Sequence, residues 1–296
     1  MRPFSPTTHR RAQQRLVDSL CFMLWKSCNY QCKFCWHPDK GLDAPFSLSE
    51  AADAIHLLRD SGVGKVNFCG GEPFFKAKGT HVGKLLAECK REVPGSVHPA
   101  PVTGIMTNGS LVTREWFDEY GEHCDVLAIS VDSFREETNR GIGRAQGRRP
   151  LVGTETLAQI RSWCDEFGVR FKLNTVVNRL NVDEDMGREV AALEPDRWKL
   201  FQVSPAYNEN YGPGAPPGLD FASFQISRHQ FDSFVRRHES YFAEGVVVPE
   251  TSEDVDDGYL LLDPSFCFEM PSALPTTAAR SSRSILEVGA EAALGR

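Results

Sequence analysis

Cys28-Asn29-Tyr30-Gln31-Cys32-Lys33-Phe34-Cys35-Trp36 decides how this chain is read, because one short loop carries three thiols at the spacing Cys28-x3-Cys32-x2-Cys35. The loop follows an apolar run, Leu20-Cys21-Phe22-Met23-Leu24-Trp25, that reads as a strand. Thiolates so close together can hold three corners of a [4Fe–4S] cube, which leaves one iron open for a small molecule. Structural zinc is the competing reading, since His37 would complete a Cys3His set. A disulfide framework fits less well: the chain has nine cysteines, an odd number, and no secretory leader.

Composition bounds the setting. The 296 residues are 41% hydrophobic and 25% charged, enough to bury one large core. A net charge of −7 excludes a global basic field for a nucleic-acid polymer. No apolar run approaches the ~20 residues of a membrane span, so no stable membrane anchor is expected. Residues 1–19 are basic and polar and read as an N-terminal arm. Free thiols and a reducible cluster point to a reducing, cytoplasmic compartment.

Outward from the loop, strand and helix patterns alternate. Ser47 and Glu50 have the spacing of a capping box, and Ala51, Ile55 and Leu58 recur at helical spacing up to Gly62. Val66–Cys69 is a short strand running into Gly70-Gly71-Glu72-Pro73. A helix over Val82–Glu92 precedes strand Val102–Met106, helix Arg114–Tyr120 precedes strand Val126–Val131, and helix Thr154–Phe167 precedes strand Val169–Val177. Asn181 and Glu184 give a start signal for a helix over Val182–Leu193, and Trp198–Val203 is the sixth strand. Six βα repeats with short connections predict a parallel sheet with helices outside, curling by right-handed crossovers toward a barrel. Cys28, Gly70, Asn108, Ser130, Asn174 and Gln202 each fall at or just past a strand end, which places them around one mouth, where α/β barrels build their active sites.

The cysteine spacing with an aromatic beside the third thiol, followed by Gly70-Gly71-Glu72-Pro73, resembles the radical S-adenosylmethionine (SAM) enzymes. That resemblance implies an open partial (β/α)6 barrel. It also implies a [4Fe–4S] cluster on Cys28, Cys32 and Cys35 whose open iron binds SAM, and reductive cleavage of SAM to a 5′-deoxyadenosyl radical. It assigns Gly70, Gly71 and Glu72 to the SAM amino group, Asn108 and Ser130 to its methionine and ribose, and Arg144 of Gly141-Ile142-Gly143-Arg144 to its carboxylate.

Longer stretches narrow the family. CNYQCKFCWH, KVNFCGGEPFF, TNGSLVTREWFDEYGE, LAISVDSF, IGRAQG, FKLNTVVNRLNVDEDM and DRWKLFQV are similar to the viperin-like enzymes over about residues 20–203. Val248-Pro249-Glu250, Tyr259–Asp263 and Ser284–Gly289 continue the similarity. The resemblance implies a radical dehydratase acting on a ribonucleoside triphosphate, CTP first and UTP second. The product would be the 3′-deoxy-3′,4′-didehydro analogue, an antiviral chain terminator. Cluster-assembly and electron-donor proteins would be its partners.

The residues carry the chemistry a triphosphate needs. Lys65 on the second strand, Lys172 and Asn174 on the fifth, and Arg197 and Lys199 on the sixth alternate with apolar neighbours, so each pair shares one face. Inward cations are costly unless an anion meets them, although any one lysine at a strand end can snorkel to water. Tyr259 matches a tyrosine that relays the closing electron or proton; packed against the core, it would be an ordinary amphipathic side chain.

The chain also departs from the family. It shows no N-terminal amphipathic helix for membrane association, and it stops at Arg296, short of a C-terminal extension that contributes to substrate enclosure and cluster maturation. Gly95–Gly104 looks like an insertion whose prolines exclude a regular strand. Residues 204–296 read as an irregular C-terminal covering region: Pro205–Ala222 is Gly- and Pro-rich like a lid, and Phe266–Ser282 diverges most. Two other functions stand beside the dehydratase. One is a different radical SAM enzyme, such as a cofactor-biosynthesis cyclase; many of these carry a second cluster, but here Cys267 alone lies beyond Cys164. The other is a non-catalytic relative that binds nucleotide or protein, consistent with the altered C-terminus.

Overall fold

The computed structural model describes residues 17–35, 47–144, 152–203, 221–254, 259–269 and 282–295. The arm before residue 17, the zinc candidate His37, the Gly/Pro-rich stretch 204–220 and most of the divergent C-terminal segment lie outside them.

Six strands run in parallel order along one sheet: β1 (Leu20–Met23), β2 (Lys65–Cys69), β3 (Val102–Thr107), β4 (Val126–Ser130), β5 (Arg170–Val177) and β6 (Arg197–Gln202). The C-terminal region joins this sheet at both sides. β7 (Val247–Glu250) pairs in parallel with β6, while β8 (Leu261–Leu262) pairs with β1 and carries the antiparallel β9 (Phe268–Glu269). The nine-stranded order is therefore β7-β6-β5-β4-β3-β2-β1-β8-β9, an open partial barrel.

Alternation along the strands separates core from cavity. On β5, Phe171, Leu173, Thr175 and Val177 are fully buried on one face, while Lys172, Asn174 and Val176 on the other are only partly covered. The outward faces of the neighbouring strands supply Phe22, Phe68, Ile105, Leu127, Trp198 and Leu200 to a single core. Helices α1 (Leu48–Asp60), α2 (Thr80–Lys90), α3 (Arg114–Tyr120) and α5 (Thr154–Phe167) cover it. Ala51, Ala54, Ile55 and Leu58 of α1 are buried, and each of the larger pair gives roughly 1.5–3 kcal/mol by leaving water.

Local chemistry departs from the sequence reading in four places. Ser47 caps α1 by accepting from the Glu50 amide at 3.3 Å, one half of a capping box; Ser227 and Gln230 complete both halves at α7 (Arg228–Glu239). Asn181 and Glu184 do not start a helix, and α6 spans only Gly187–Ala192. Their side chains are buried and spent on tertiary bonds instead. Asn181 donates to the Asp132 carbonyl at 2.7 Å, and Glu184 accepts from Ser133 and Thr138, both at 2.6 Å, tying the end of β4 to α4 (Glu136–Ile142). The strand β3 takes in Val102–Gly104 directly after Pro101, because the Val102 amide is free to donate to Gly64 at 2.9 Å. Asn174 sits within β5 rather than at its end, in register with Ser130 on β4 and Lys199 on β6.

Candidate active site

The cysteine loop is seated by backbone packing on two sides. The Gly71 amide donates to the Trp25 carbonyl at 2.6 Å and the Glu72 amide to Ser27 at 2.9 Å. A Cβ on Gly71 would lie 2.0 Å from the Ser27 oxygen, so only glycine permits this approach. Opposite, Gln31 and Lys33 donate their amides to the carbonyls of Gly143 and Ile142, at 3.1 and 2.9 Å. Gly143 has φ +88°, and a Cβ there would meet the Gln31 oxygen at 2.1 Å. The diglycine turn and the Gly-Ile-Gly-Arg segment thus clamp the loop from both flanks.

Polar side chains complete the clamp. Glu72 is 1% exposed. Its carboxylate accepts from the Thr107 hydroxyl at 2.5 Å, the Asn108 amide at 2.8 Å and the Phe74 amide at 3.1 Å. Burial pushes its pKa up, and these bonds partly offset that. The side chain of Asn108 donates to Asn29 at 2.8 Å and accepts from the Ser110 amide and hydroxyl, linking the end of β3 to the cysteine loop. Arg144 donates to the fully buried Asp132 at 2.6 Å and to the Ser130 carbonyl at 3.3 Å. Burial works against the Arg144 charge, and Asp132, together with Cys32 and Tyr30, more than offsets it.

A cavity of about 270 Å³ opens under this rim. Cys28, Cys32 and Cys35 line it with Gly70, Gly71, Glu72, Asn108, Ser130 and Arg144, and it reaches Asn174 and Tyr259. Burial pushes the Cys32 thiol up to about 12, Arg144 pulls the other way, and Cys35 and Cys28 add their repulsion. A cation bound by the three thiols would favour their thiolate forms. Three thiols on one cavity wall are the donor number that holds a [4Fe–4S] cube with one iron left open.

The basic residues lie deeper. The inner faces of β4, β5 and β6 place Ser130, Asn174 and Lys199 in one row, with Lys172 and Arg197 paired in the row beneath. Burial first, and then the charges of Lys65, Arg197, Arg170 and Lys199, lower the Lys172 pKa to about 8. Lys65 is lowered too, by burial first and then Arg170. Of the five candidate substrate residues, Asn174 alone lines the inner cavity. Lys199 borders a second, outer cavity, where it pairs with Glu250 and donates to the Tyr259 hydroxyl at 3.0 Å.

Sequence reasoning overlooked Asp132, Arg170 and the sulfur-rich wall of Cys21, Met23, Cys69 and Met106. Asp132 had a signal, an acid just past an apolar strand. Cys21 and Met23 did not, because β1 is apolar on both faces and alternation cannot show which side meets a cavity; Cys69 did, since it shares the β2 face of Lys65 and Asn67.

Comparison with known proteins agrees with this architecture. The Radical SAM superfamily profile matches residues 23–186. The S-adenosylmethionine-dependent nucleotide dehydratase RSAD2 of Danio rerio is 40% identical over 99% of this chain and 78% of its own length. The chain belongs to the radical SAM nucleotide dehydratases. A bacterial member, from Lacinutrix mariniflava, is 30% identical over 94% of this chain and 55% of its own length. Among solved structures, native anSMEcpe with bound AdoMet and a peptide superposes with a TM-score of 0.69 at 14% identity, covering 94% of this chain and 80% of that one. Membership makes the chain a radical SAM lyase that uses a [4Fe–4S] cluster and SAM, acting on a nucleotide. Among the described residues, no helix is long and apolar enough to cross a membrane.

Proposed function

We propose that the enzyme dehydrates a ribonucleoside triphosphate, CTP first and UTP second, to its 3′-deoxy-3′,4′-didehydro analogue, a chain terminator of viral RNA synthesis. The observation that carries this reading is the axial order of the barrel. Three thiols line the rim, Ser130 and Asn174 the middle, and Lys172, Arg197 and Lys65 the opposite end. A nucleotide is built in the same order, with ribose between base and polyphosphate. Anchored by its phosphates on the cations, it would present its sugar to the inner cavity.

In this reading Cys28, Cys32 and Cys35 hold the cluster, and the backbone of Gly70 and Gly71 with Asn108, Ser130 and Arg144 holds SAM. Glu72 joins them at the SAM amino group, held in place by the bonds it accepts from Thr107, Asn108 and Phe74. Cluster and SAM together supply the carbon radical that removes the ribose 4′ hydrogen. Lys65, Lys172, Asn174, Arg197 and Lys199 bind the triphosphate, and Tyr259 serves the closing proton or electron transfer. Placement in the cytoplasm, with cluster-assembly and electron-donor proteins as partners, belongs to the same proposal.

The test is anaerobic reconstitution with iron and sulfide, followed by SAM, dithionite and each of CTP, UTP, GTP and ATP. The expected result by mass spectrometry is 5′-deoxyadenosine together with one nucleotide lighter by a water. 5′-Deoxyadenosine without a lighter nucleotide would reject the triphosphate substrate. Neither product from a cluster-loaded protein would favour a non-catalytic relative.

A further inference from the structure

The edge strands of the open sheet are β7 and β9, and one side-chain triangle ties β6 and β7 to the segment that leads into β8. Glu250 ends β7, Lys199 lies on the adjacent β6, and Tyr259 leads into β8. Lys199 pairs with one Glu250 oxygen and donates to the Tyr259 hydroxyl at 3.0 Å. That hydroxyl donates to the second Glu250 oxygen at 2.5 Å. The triangle also separates two spaces. Tyr259 lines the inner cavity with the thiols, whereas Glu250 and Lys199 line the outer cavity of about 430 Å³, beside Ser19 and Asp254. Tyr259 and Cys21 border both.

We propose that Glu250 is a positioning residue that recharges Tyr259 with a proton from the outer cavity, so the proton consumed in dehydration crosses the barrel seam. The inference rests on the dehydratase reading above. In the step, the Tyr259 O–H bond breaks and a new O–H bond forms on the departing 3′-hydroxyl, which leaves as water. The phenolate is held by the Lys199 ammonium. Water in the outer cavity protonates Glu250, which returns that proton to the phenolate. One proton enters and one leaves in the product water; the single electron that turns the ribose radical into the closed-shell alkene comes from the external reductant, dithionite in the assay. Burial, with Glu250 as acceptor, raises the Tyr259 pKa, so the phenol stays protonated until it is used.

The test uses the reconstituted full chain with the triphosphate that the wild type dehydrates. Glu250→Gln keeps a hydrogen-bonding group of the same size but cannot relay a proton. The expected result is 5′-deoxyadenosine formation near wild type, with dehydrated nucleotide per 5′-deoxyadenosine reduced at least about tenfold. Its formation should slow further in D2O, and Glu250→Asp should restore most of the ratio. Glu250→Gln and Tyr259→Phe combined should be no worse than the poorer single variant. An unchanged ratio and solvent isotope effect in Glu250→Gln would overturn the relay, as would additive losses in the double variant. Should Glu250→Gln load its cluster poorly, the wild type still decides: nucleotide formation insensitive to D2O overturns the proposal. If the wild type dehydrates none of the four triphosphates, the dehydratase reading and the relay fall together.

Discussion

The two ends of this barrel are built on opposite principles. At the rim the groups that frame the three thiols are matched by one another: Gly71 and Gly143 fit against loop carbonyls, Glu72 collects three donors, and Asp132 answers Arg144. At the far end burial, and then the neighbouring charges that include Arg170 and Arg197, depress the protonation of Lys65 and Lys172. The frame around the thiols is therefore set before any ligand arrives, while the cationic end gains from a polyanion that the chain does not provide. A frame that must hold a cofactor in one orientation works best with its own groups already satisfied, whereas a site that must attract a charged substrate benefits from residual field.

Substitutions should fall into two classes accordingly. Cys32→Ala carries the largest expected effect: two thiolates cannot hold the cube, so iron content and 5′-deoxyadenosine formation should both vanish. Full SAM cleavage in that variant would remove the cluster assignment. Gly71→Ala comes next, because its Cβ would overlap the Ser27 oxygen. We expect a cost of about 3 kcal/mol and a melting temperature lower by roughly 8 °C. Lys172→Met should behave in the contrary way. Losing a half-buried, mutually repelled cation should leave the melting temperature of the nucleotide-free protein unchanged or raised, while nucleotide affinity falls about ten- to a hundredfold and unstimulated SAM cleavage persists. A large thermal loss in Lys172→Met with unchanged nucleotide affinity would dissolve the distinction between the ends.

Much of the rim was legible in the sequence because it is local. The cysteine loop and the diglycine turn follow their strands directly, and strand ends are marked by a change from apolar to polar residues. The same locality misled at Asn181 and Glu184, where the spacing of a helix start served bonds to β4 and α4 instead. Alternation correctly paired Lys172 with Asn174, yet it could not show that Lys199 is already held by Glu250, since that contact depends on β7 lying beside β6. Glu250 and Tyr259 meet only because the C-terminal strands attach to opposite sides of the sheet, a closure that no window of sequence contains.

The smallest expected effect is also the one that separates the ends by sign. With a folded pKa of about 8 against an ordinary lysine value of 10.5, Lys172 binds fewer protons in the nucleotide-free fold than in the unfolded chain between those limits. Its contribution to stability therefore rises with pH across that window. A bound triphosphate would favour the ammonium and raise the pKa in the complex, so binding takes up a proton. Affinity should then fall with rising pH above about 8, by at most about tenfold per unit from this residue. Titration calorimetry between about pH 7 and about pH 9 should show proton uptake in the wild type and less in Lys172→Met. A flat affinity profile, or the same slope in both proteins, would mean that the phosphates do not meet this lysine, and the axial order of the substrate would have to be reversed.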